Sequence, residues 1–420
     1  MRVLFVVWPV QAHFYPQIPL AWALQGAGHE VCVASHPDLA DTITAAGLSA
    51  VPLGKDTGIP ALATIGEYVT GEDQRAALAD RLSIAPAERA YPWDMYSSYY
   101  VPEIRIFHPE GATPQDVNPG ADDLVRFAQG WQPDLVLWEG VWLAAAVAAR
   151  SCGAAHARSL WAPDYLGWGR ARHLAAGLAD PLAELVGPVA ERYGVPVDPE
   201  LLLGQWSIDP TPTEVPRLTD VRTVPVRRVP STGATALPGW LHPKPERPRV
   251  ALTLGASMRN YMINKPLISA MLDMMDGLDI EVVATFNEAQ LEGQRVPDNV
   301  RTIDYIPLTQ LLPTCSAIVH HGAGGTMSAA TAHRVPQLIE MDGLEAHLYA
   351  PYVTGRGAGL TIDHQKDSTS EMRKQLLRLV EEPSFQVGAD ALHADWLALP
   401  APADIVPTLE RLTAQFRHRS

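Results

Sequence analysis

The first 35 residues constrain the fold of this chain more strongly than any other stretch. An apolar segment, RVLFVVW, is followed by the loop PVQAHFYP, the helix-like segment QIPLAWALQGAG and a second apolar segment, EVCVAS. A strand, a helix and a strand within so few residues form a βαβ unit, whose two strands lie parallel in one sheet. The chain is therefore expected to begin as a parallel α/β domain.

The same alternation continues in two runs, separated by a proline-rich stretch over residues 206–248. In the first run, strands are predicted at LSAVPL, DLVLWE and AAHARSL, and VRTVPV closes the sheet. The second run begins at RVALTLGAS and passes through IEVVATF and NVRTIDYIP to SAIVHHGAGG. We therefore predict an α/β protein with two Rossmann-like, doubly wound domains. The predicted segments are a first domain over 1–228, a linker over 229–247, a second domain over 248–400 and a terminal helix over 401–420.

The composition argues against several classes of protein. The net charge is −15, whereas a general nucleic-acid binder needs clustered Lys and Arg for phosphate contacts. No window approaches about 18 consecutive apolar residues, so no membrane span is expected, and the first strand lacks the cleavage site of a signal peptide. Cys32, Cys152 and Cys315 form no CxxC or metal-binding pattern. We expect a cytoplasmic protein without disulfides.

A glycine-rich turn, HHGAGGT, follows the strand SAIV and precedes a helix. Ligands of open α/β sheets bind beyond the carboxyl ends of the strands, and a helix N-terminus there attracts anions. The amides of Gly324, Gly325 and Thr326 are therefore predicted to hold a diphosphate, and His320 or His321 to donate a hydrogen bond to it. The turn matches neither the GxGxxG nor the GK[ST] signature.

Two further strand ends carry polar side chains. The loop LGASMRN follows the first strand of the second run, so Gly255, Ser257 and Arg259 are expected to face the same diphosphate. In the first run, His13 follows the first strand and Glu139 ends the strand DLVLWE. An imidazole oriented by a carboxylate at one sheet edge is suited to act as a general base.

Five aromatic rings fall within ten residues, from Tyr91 to Tyr100. The cluster, which includes Trp93, Tyr96, Tyr99 and Tyr100, is either part of the core or a surface that binds an acceptor molecule. We take these four residues as candidate acceptor contacts.

Several longer stretches carry a resemblance to a known family: PLAWALQGAGHEVCVAS, GAAHARSLWAPD, LPGWLHPKPERPRVALTLG and QLEGQRVPDNVRTIDYIPLTQLLPTCSAIVHHG. They resemble the antibiotic glycosyltransferases of actinomycetes, in particular the macrolide and anthracycline aminodeoxysugar transferases that use thymidine-diphosphate (TDP) sugars. The resemblance implies the glycosyltransferase-B fold, with two Rossmann-like domains facing across a cleft. The N-terminal domain would bind the acceptor and the C-terminal domain the nucleotide sugar, with helix 401–420 packing back on the N-terminal domain.

The resemblance also implies roles for single residues. The catalytic histidine falls on His13, its acidic partner on Glu139 and the diphosphate-binding histidine on His320, which leaves His321 as a packing residue. The remaining implied contacts are those of the diphosphate at Gly255–Arg259, Gly324, Gly325 and Thr326, of the nucleobase near Ile306 and Leu308, and of the sugar at Asp342 and Glu345. Many relatives have Asp-Gln where this chain has Glu345 and Ala346, and alanine cannot hydrogen-bond a sugar hydroxyl.

The implied reaction is an inverting displacement, in which a deoxysugar moves from a TDP donor to a polyketide aglycone without a metal or other cofactor. A cytochrome-like activator protein is an implied partner, and a homodimer is a further expectation. Three alternatives stay open from the sequence: a transferase that forms carbon glycosides on an aromatic polyketide, a nucleotide-sugar 2-epimerase, and a silent accessory protein.

Overall fold

The computed structural model describes residues 1–55, 68–241, 243–255, 263–343 and 345–417. The chain divides into two compact units. The N-terminal unit consists of Met1–Thr211, Pro216–Arg227 and Pro400–Ser420, and the C-terminal unit of Pro212–Val215 and Arg228–Leu399. The stretch predicted as a separate linker, 229–247, thus belongs to the C-terminal unit.

The N-terminal unit is built on a seven-stranded sheet in the order β3-β2-β1-β4-β5-β6-β7. All of its strand pairs are parallel. Because β1 lies between β2 and β4, the direction of the strand order reverses there, and ligands of doubly wound sheets bind at such a point. The strands are β1 (Arg2–Val6), β2 (Glu30–Ser35), β3 (Ser49–Pro52), β4 (Leu135–Trp138), β5 (Ala155–Ser159), β6 (Ser207–Asp209) and β7 (Thr223–Pro225).

The helices of the N-terminal unit cover both faces of this sheet, as parallel strands require. They are Gln11–Phe14, Ile18–Gly26, Ala40–Ala45, Glu72–Arg81, Pro86–Glu88, Val101–Phe107, Pro119–Trp131, Ala144–Ser151, Tyr165–Ala175, Pro181–Arg192, Pro199–Leu203 and Pro402–Phe416. Short 3-10 turns lie at Tyr15–Gln17 and Pro37–Leu39, and π-helical turns at Arg89–Trp93 and Tyr96–Tyr100.

The core of the N-terminal unit includes the last helix of the chain. Val3, Phe5 and Val7 lie in one buried cluster with Leu409 and Leu412 of helix Pro402–Phe416. The same helix contacts helix Ile18–Gly26. Apolar residues at positions 405, 406, 409 and 412 recur with helical spacing, so one stripe of this helix is buried against the sheet.

The C-terminal unit is built on a six-stranded sheet in the order β10-β9-β8-β11-β12-β13, again with parallel pairs throughout. Here the strand order reverses between β8 and β11. The two parallel, doubly wound sheets confirm the predicted fold class. The strands are β8 (Arg249–Thr253), β9 (Glu281–Ala284), β10 (Val300–Thr302), β11 (Ala317–His320), β12 (Gln337–Glu340) and β13 (Gly359–Ile362).

The helices of the C-terminal unit pack on two buried clusters, one on each face of the sheet. They are Lys265–Met275, Glu288–Leu291, Leu308–Leu311, Gly324–Ala332, Ala346–Gly355, Thr369–Glu381 and Ser384–Ala398, with 3-10 turns at Gly239–Leu241 and Leu312–Thr314. Within the described ranges, neither unit contains a helix long and apolar enough to span a bilayer.

Candidate active site

His13 and Glu139 meet at the reversal point of the N-terminal sheet. The neighbours β1 and β4 pair Val6 with Trp138, so the loop after one strand lies beside the end of the other. The Nδ1 atom of His13 is 3.1 Å from Oε2 of Glu139, and the same oxygen accepts the N–H of Trp8 at 2.9 Å. A neutral His13 that donates from Nδ1 to this carboxylate keeps the lone pair of Nε2 for another proton.

A second carboxyl group, not predicted from the sequence, lies beside His13. Glu103, on helix Val101–Phe107, places Oε1 at 3.7 Å from Nε2 of His13. His13 is 2% exposed and Glu103 0%. Burial is the largest effect on the pKa of Glu103 and raises it to about 8. A protonated His13 lowers this pKa in part, and the negative charge of Glu139 raises it. A sequence signal existed: Glu103 lies four residues before the buried Phe107, on the same helical face.

Aromatic rings line the same site. The centroid of the Trp161 ring lies 4.5 Å from that of the His13 ring. The ring of Tyr100 stacks on Trp161 with a centroid distance of 5.1 Å and nearly parallel planes. Tyr99 contacts the edge of Trp161 at 6.4 Å. Tyr99 and Tyr100 are therefore connected to His13 through Trp161, a residue that was not predicted from the sequence.

Trp93 and Tyr96, by contrast, are core residues, and their assignment as acceptor contacts is corrected. Their side chains are 4% and 2% exposed; Tyr100 is also buried, at 6%, but its ring stacks on Trp161 beside His13. Tyr96 packs against Trp168 and His173 of helix Tyr165–Ala175, and its burial raises its pKa. In the sequence, Trp93 and Tyr96 belong to the same aromatic cluster as Tyr99 and Tyr100. In the folded chain they pack against each other and, through Tyr96, against Trp168, and not against Trp161 as Tyr99 and Tyr100 do.

The structure also corrects the assignment of His320 as the phosphate donor. His320 is 0% exposed; its Nε2 lies 3.0 Å from the amide oxygen of Gln337, and its Nδ1 accepts the N–H of Gly322 at 3.1 Å. Burial lowers the pKa of His320 to about 3, so the ring is neutral and both nitrogens are used within the protein. His320 shapes the turn.

His321, the next residue in the chain, has a different environment. Its ring lies against Gly255, where a Cβ atom would be 2.4 Å from Cε1 of His321 and where φ is +76°. A glycine is needed there on both counts. Burial lowers the pKa of His321 to about 4, and its Nδ1 has no hydrogen-bond partner among the described residues. This neutral ring, at the reversal point between β8 and β11, is suited to donate to a phosphate.

The turn continues into helix Gly324–Ala332, whose N-cap residue Ala323 provides no side-chain cap. The amides of Gly325 and Thr326 lie in the first turn, where backbone N–H groups have no partner within the helix. The amide of Gly324 donates to Oε2 of Glu345 at 3.0 Å, so its predicted bond to the diphosphate is corrected. Predicted contacts Ser257 and Arg259 lie outside the described residues.

A guanidinium group that was not predicted from the sequence lies at the same helix end. A Cβ atom on Gly325 would be 3.6 Å from Nη2 of Arg228. The backbone carbonyl of Arg228 accepts the indole N–H of Trp396 at 2.9 Å, which fixes the chain at this point. A guanidinium at this position can form charge-assisted hydrogen bonds to an anion bound at the helix N-terminus. The basic pair in VPVRRVP was the available signal.

The predicted sugar and nucleobase residues occupy different environments. Asp342, after β12, is exposed and accepts from Nδ2 of Asn264 at 3.0 Å. Glu345 uses one oxygen to cap the helix that follows β11. Ile306 is buried in the core, with Leu308 packed against it in the same cluster, so contact with a base at Ile306 would have to use the main chain.

A group of possible metal ligands lies next to Asp342. Glu340, Asp363 and His364 bring their ligand atoms within 4.8 Å of one another. Glu340 is fully buried, and its oxygens accept from the backbone N–H of Asp342 and contact Nδ1 of His364 at 2.8 Å. These bonds hold the loop that carries Asp342.

Comparisons with known proteins identify the family. Residues 22–255 match the family described as erythromycin biosynthesis protein CIII-like, N-terminal domain, and residues 269–412 match the C-terminal domain of the same description. The aclacinomycin-T 2-deoxy-L-fucose transferase of Streptomyces galilaeus is 39% identical over 99% of this chain and 97% of its own length. The tylactone mycaminosyltransferase of Streptomyces fradiae is 40% identical over 100% of this chain and 94% of its own length.

A solved structure agrees with these sequence matches. The glycosyltransferase VinC in complex with dTDP is 33% identical, covers 99% of this chain and 100% of its own, and superimposes with a TM-score of 0.79. The two matched domains span most of the chain, and these relatives are glycosyltransferases. The chain therefore belongs to the erythromycin biosynthesis protein CIII-like family and is a glycosyltransferase with the glycosyltransferase-B fold.

Proposed function

We propose that this protein moves a deoxysugar, in particular an aminodeoxysugar, from a TDP donor to a hydroxyl group of a polyketide-type aglycone. The observation that carries the proposal is the buried His13–Glu139 pair, in which Nδ1 of His13 lies 3.1 Å from a carboxylate oxygen of Glu139. Relatives that transfer sugars to macrolide and anthracycline compounds support the classes of donor and acceptor. They also speak against an epimerase and a silent accessory protein.

The N-terminal unit would activate the acceptor. Nε2 of His13 removes the proton of the acceptor hydroxyl, and the oxygen attacks C1 of the sugar. The bond between C1 and the diphosphate oxygen breaks with its electron pair, so the configuration at C1 inverts. Glu139 stabilises the imidazolium that forms, because its carboxylate contacts Nδ1. Tyr99 and Tyr100 would contact the aglycone.

The C-terminal unit would hold the donor. The groups that would bind its diphosphate are His321, the amides of Gly325 and Thr326 in the first turn of helix Gly324–Ala332, and the guanidinium of Arg228 near Gly325. Together they would stabilise the charge that develops on the leaving diphosphate, which requires no metal. Asp342 would contact the sugar, and the main chain near Ile306 and Leu308 the nucleobase.

The test is mass spectrometry of products from TDP-deoxysugars combined with polyketide aglycones. Transfer predicts a glycosylated product, and release of TDP that requires the aglycone. Nuclear magnetic resonance of the product separates oxygen from carbon glycosides. The activator protein and the homodimer stay predictions, which reactions with and without a cytochrome-like protein and the native mass of the chain will test.

Variants of the base pair provide the decisive comparison. His13→Ala and Glu139→Gln should each lower kcat by at least about 100-fold, as expected for a lost general base or a lost orienting carboxylate. The matched control is Asp134→Asn, because Asp134 lies at the opposite end of the same strand and accepts the N–H of Arg2 at 2.7 Å. Equal turnover by His13→Ala and the wild type would contradict the mechanism.

A further inference from the structure

Glu103 is a buried carboxyl group that the proposed mechanism has not yet used. It is 0% exposed, on a helix whose neighbouring residues Ile104 and Phe107 belong to the core. Neither of its carboxyl oxygens has a hydrogen-bond partner within the described part of the chain. Burying a polar group without hydrogen bonds is costly, and an apolar residue would fill the same space at a lower cost. Packing alone therefore does not account for a carboxyl group here.

The carboxyl group points to the reactive atom of the site. Its Oε1 is 3.7 Å from Nε2 of His13, the nitrogen that Glu139 does not contact. This separation is too long for a direct hydrogen bond. It does allow a single oxygen atom to lie about 2.8 Å from both atoms, which is an ordinary hydrogen-bond distance. The ring of Trp161, 4.5 Å from that of His13, lies beside the same point.

We propose that Glu103 is an acceptor-binding residue, whose carboxyl group hydrogen-bonds the acceptor oxygen while Nε2 of His13 removes the proton from that oxygen. This inference rests on the proposed function and adds a second contact to the same nucleophile. The hydroxyl donates to His13 and accepts from Glu103, so its position and its orientation are both defined. The bonds made and broken remain those of the displacement: the oxygen joins C1, the diphosphate leaves with the electron pair, and the proton moves to His13.

The protonation of Glu103 gives this contact a pH dependence. Because burial raises its pKa to about 8, the carboxyl group is neutral at pH 7 and can donate. Above that value it ionises, loses its proton for donation and places a negative charge beside the reacting oxygen. Among the described residues, the titratable groups that act on it are His13, which lowers its pKa, and Glu139, which raises it.

The experiment compares Glu103→Gln and Glu103→Leu with the wild type and with the control Glu110→Gln, whose exposed carboxylate pairs with Arg105. The wild-type kcat/KM for the aglycone should fall above pH 8. Glu103→Gln, whose amide donates at every pH, should retain activity at pH 7 and lose that fall. Glu103→Leu should raise the KM for the aglycone about tenfold at pH 7 with the donor KM unchanged, as expected for one lost hydrogen bond.

A stability measurement separates this role from a structural one. Glu103→Leu should not lower the urea midpoint of unfolding, because it removes a buried polar group that lacks partners. The inference is overturned if the wild-type profile is flat above pH 8, if Glu103→Gln keeps the fall, or if Glu103→Leu leaves the aglycone KM unchanged. Absence of transfer by the wild type would overturn the proposed function and this inference together, whereas the other outcomes overturn the inference alone.

Discussion

At the scale of single residues, His320 and His321 are adjacent in the chain but have different environments. His320 ends β11 and bonds with Gln337 and Gly322, whereas His321 follows the strand and lies against Gly255. Successive residues at a strand end point to opposite sides, so one ring enters the core and the other faces the site. Two neighbours of the same type therefore have different environments, and we propose a binding role for His321 alone.

This difference predicts that two alanine variants affect different quantities, TDP binding in one and stability in the other. His321→Ala should weaken TDP binding about tenfold, as one lost hydrogen bond to phosphate would, with little change in stability. His320→Ala should lower the free energy of unfolding by about 1–3 kcal/mol, because the amide oxygen of Gln337 and the backbone N–H of Gly322 lose their bonds to the imidazole. Calorimetric titration with TDP and urea unfolding measure the two effects, and the reverse pattern would restore His320 as the phosphate donor.

At the scale of elements, helix Tyr165–Ala175 and the π-helical turn Tyr96–Tyr100 are in close contact. A Cβ atom on Gly169 would lie 2.2 Å from the ring of Tyr96, so Gly169→Ala should destabilise the N-terminal unit by about 1–3 kcal/mol through overpacking. The matched control is Gly187→Ala in helix Pro181–Arg192, where a Cβ atom meets nothing within 4 Å. The control should be neutral or stabilising by up to about 1 kcal/mol. Thermal unfolding compares them, and equal effects would contradict the close packing.

A buried histidine on strand β5, His156, should make the stability of the N-terminal unit sensitive to acid. Burial, with a contribution from Arg150, lowers the pKa of His156 to about 3, and neither ring nitrogen has a partner in the described ranges. The pKa in the folded protein lies below the ordinary histidine value of 6.5, so the unfolded chain binds more protons as the pH falls. The associated stability is complete above about pH 6.5 and decreases as the pH falls, by about 2 kcal/mol at pH 5.

Replacement of this residue tests the effect. His156→Leu should reduce the loss of unfolding free energy between pH 7 and pH 5 by that amount, measured by urea unfolding at both values. The control is His347→Leu, because His347 is exposed on helix Ala346–Gly355 and its replacement should leave the wild-type pH dependence. A His156→Leu protein with the wild-type pH dependence would show that His156 is not the source.

At the scale of the whole molecule, each sheet has its own core, and the end of the chain contributes to the first one. Leu409, fully buried with Val3 and Phe5, is distant in sequence from β1. Leu409→Ala should lower the stability of the N-terminal unit by about 2–5 kcal/mol. Saturating TDP should stabilise the C-terminal unit, by about 2.7 kcal/mol at 100 times Kd.

Calorimetry with and without TDP distinguishes these effects. Leu409→Ala should lower the transition of the N-terminal unit, and TDP should raise the other transition in the variant as in the wild type. Leu397→Ala, on the exposed side of helix Ser384–Ala398, is the control and should leave both transitions unchanged. A variant in which TDP no longer raises any transition would contradict the assignment of TDP to the C-terminal unit.

The sequence by itself determined the elements and the edges of the sheets. The periodicity of apolar residues and the positions of Gly and Pro are local properties, and they place His13, Glu139 and the turn HHGAGGT at strand ends before any contact is known. Because carboxyl ends of parallel strands meet at one edge, His13 and Glu139 were expected together, and the structure brings their side chains to 3.1 Å.

Only the tertiary structure decided which side chains at those edges are used up within the protein. His320 is hydrogen-bonded to Gln337, and the amide of Gly324 donates to Glu345. Tyr96 packs against helix Tyr165–Ala175. Glu103 reaches His13 from a helix 90 residues further along the chain. Such pairings depend on distance in space and on burial, because desolvation changes both the hydrogen-bonding needs and the pKa of a group. Neither quantity is encoded in local spacing.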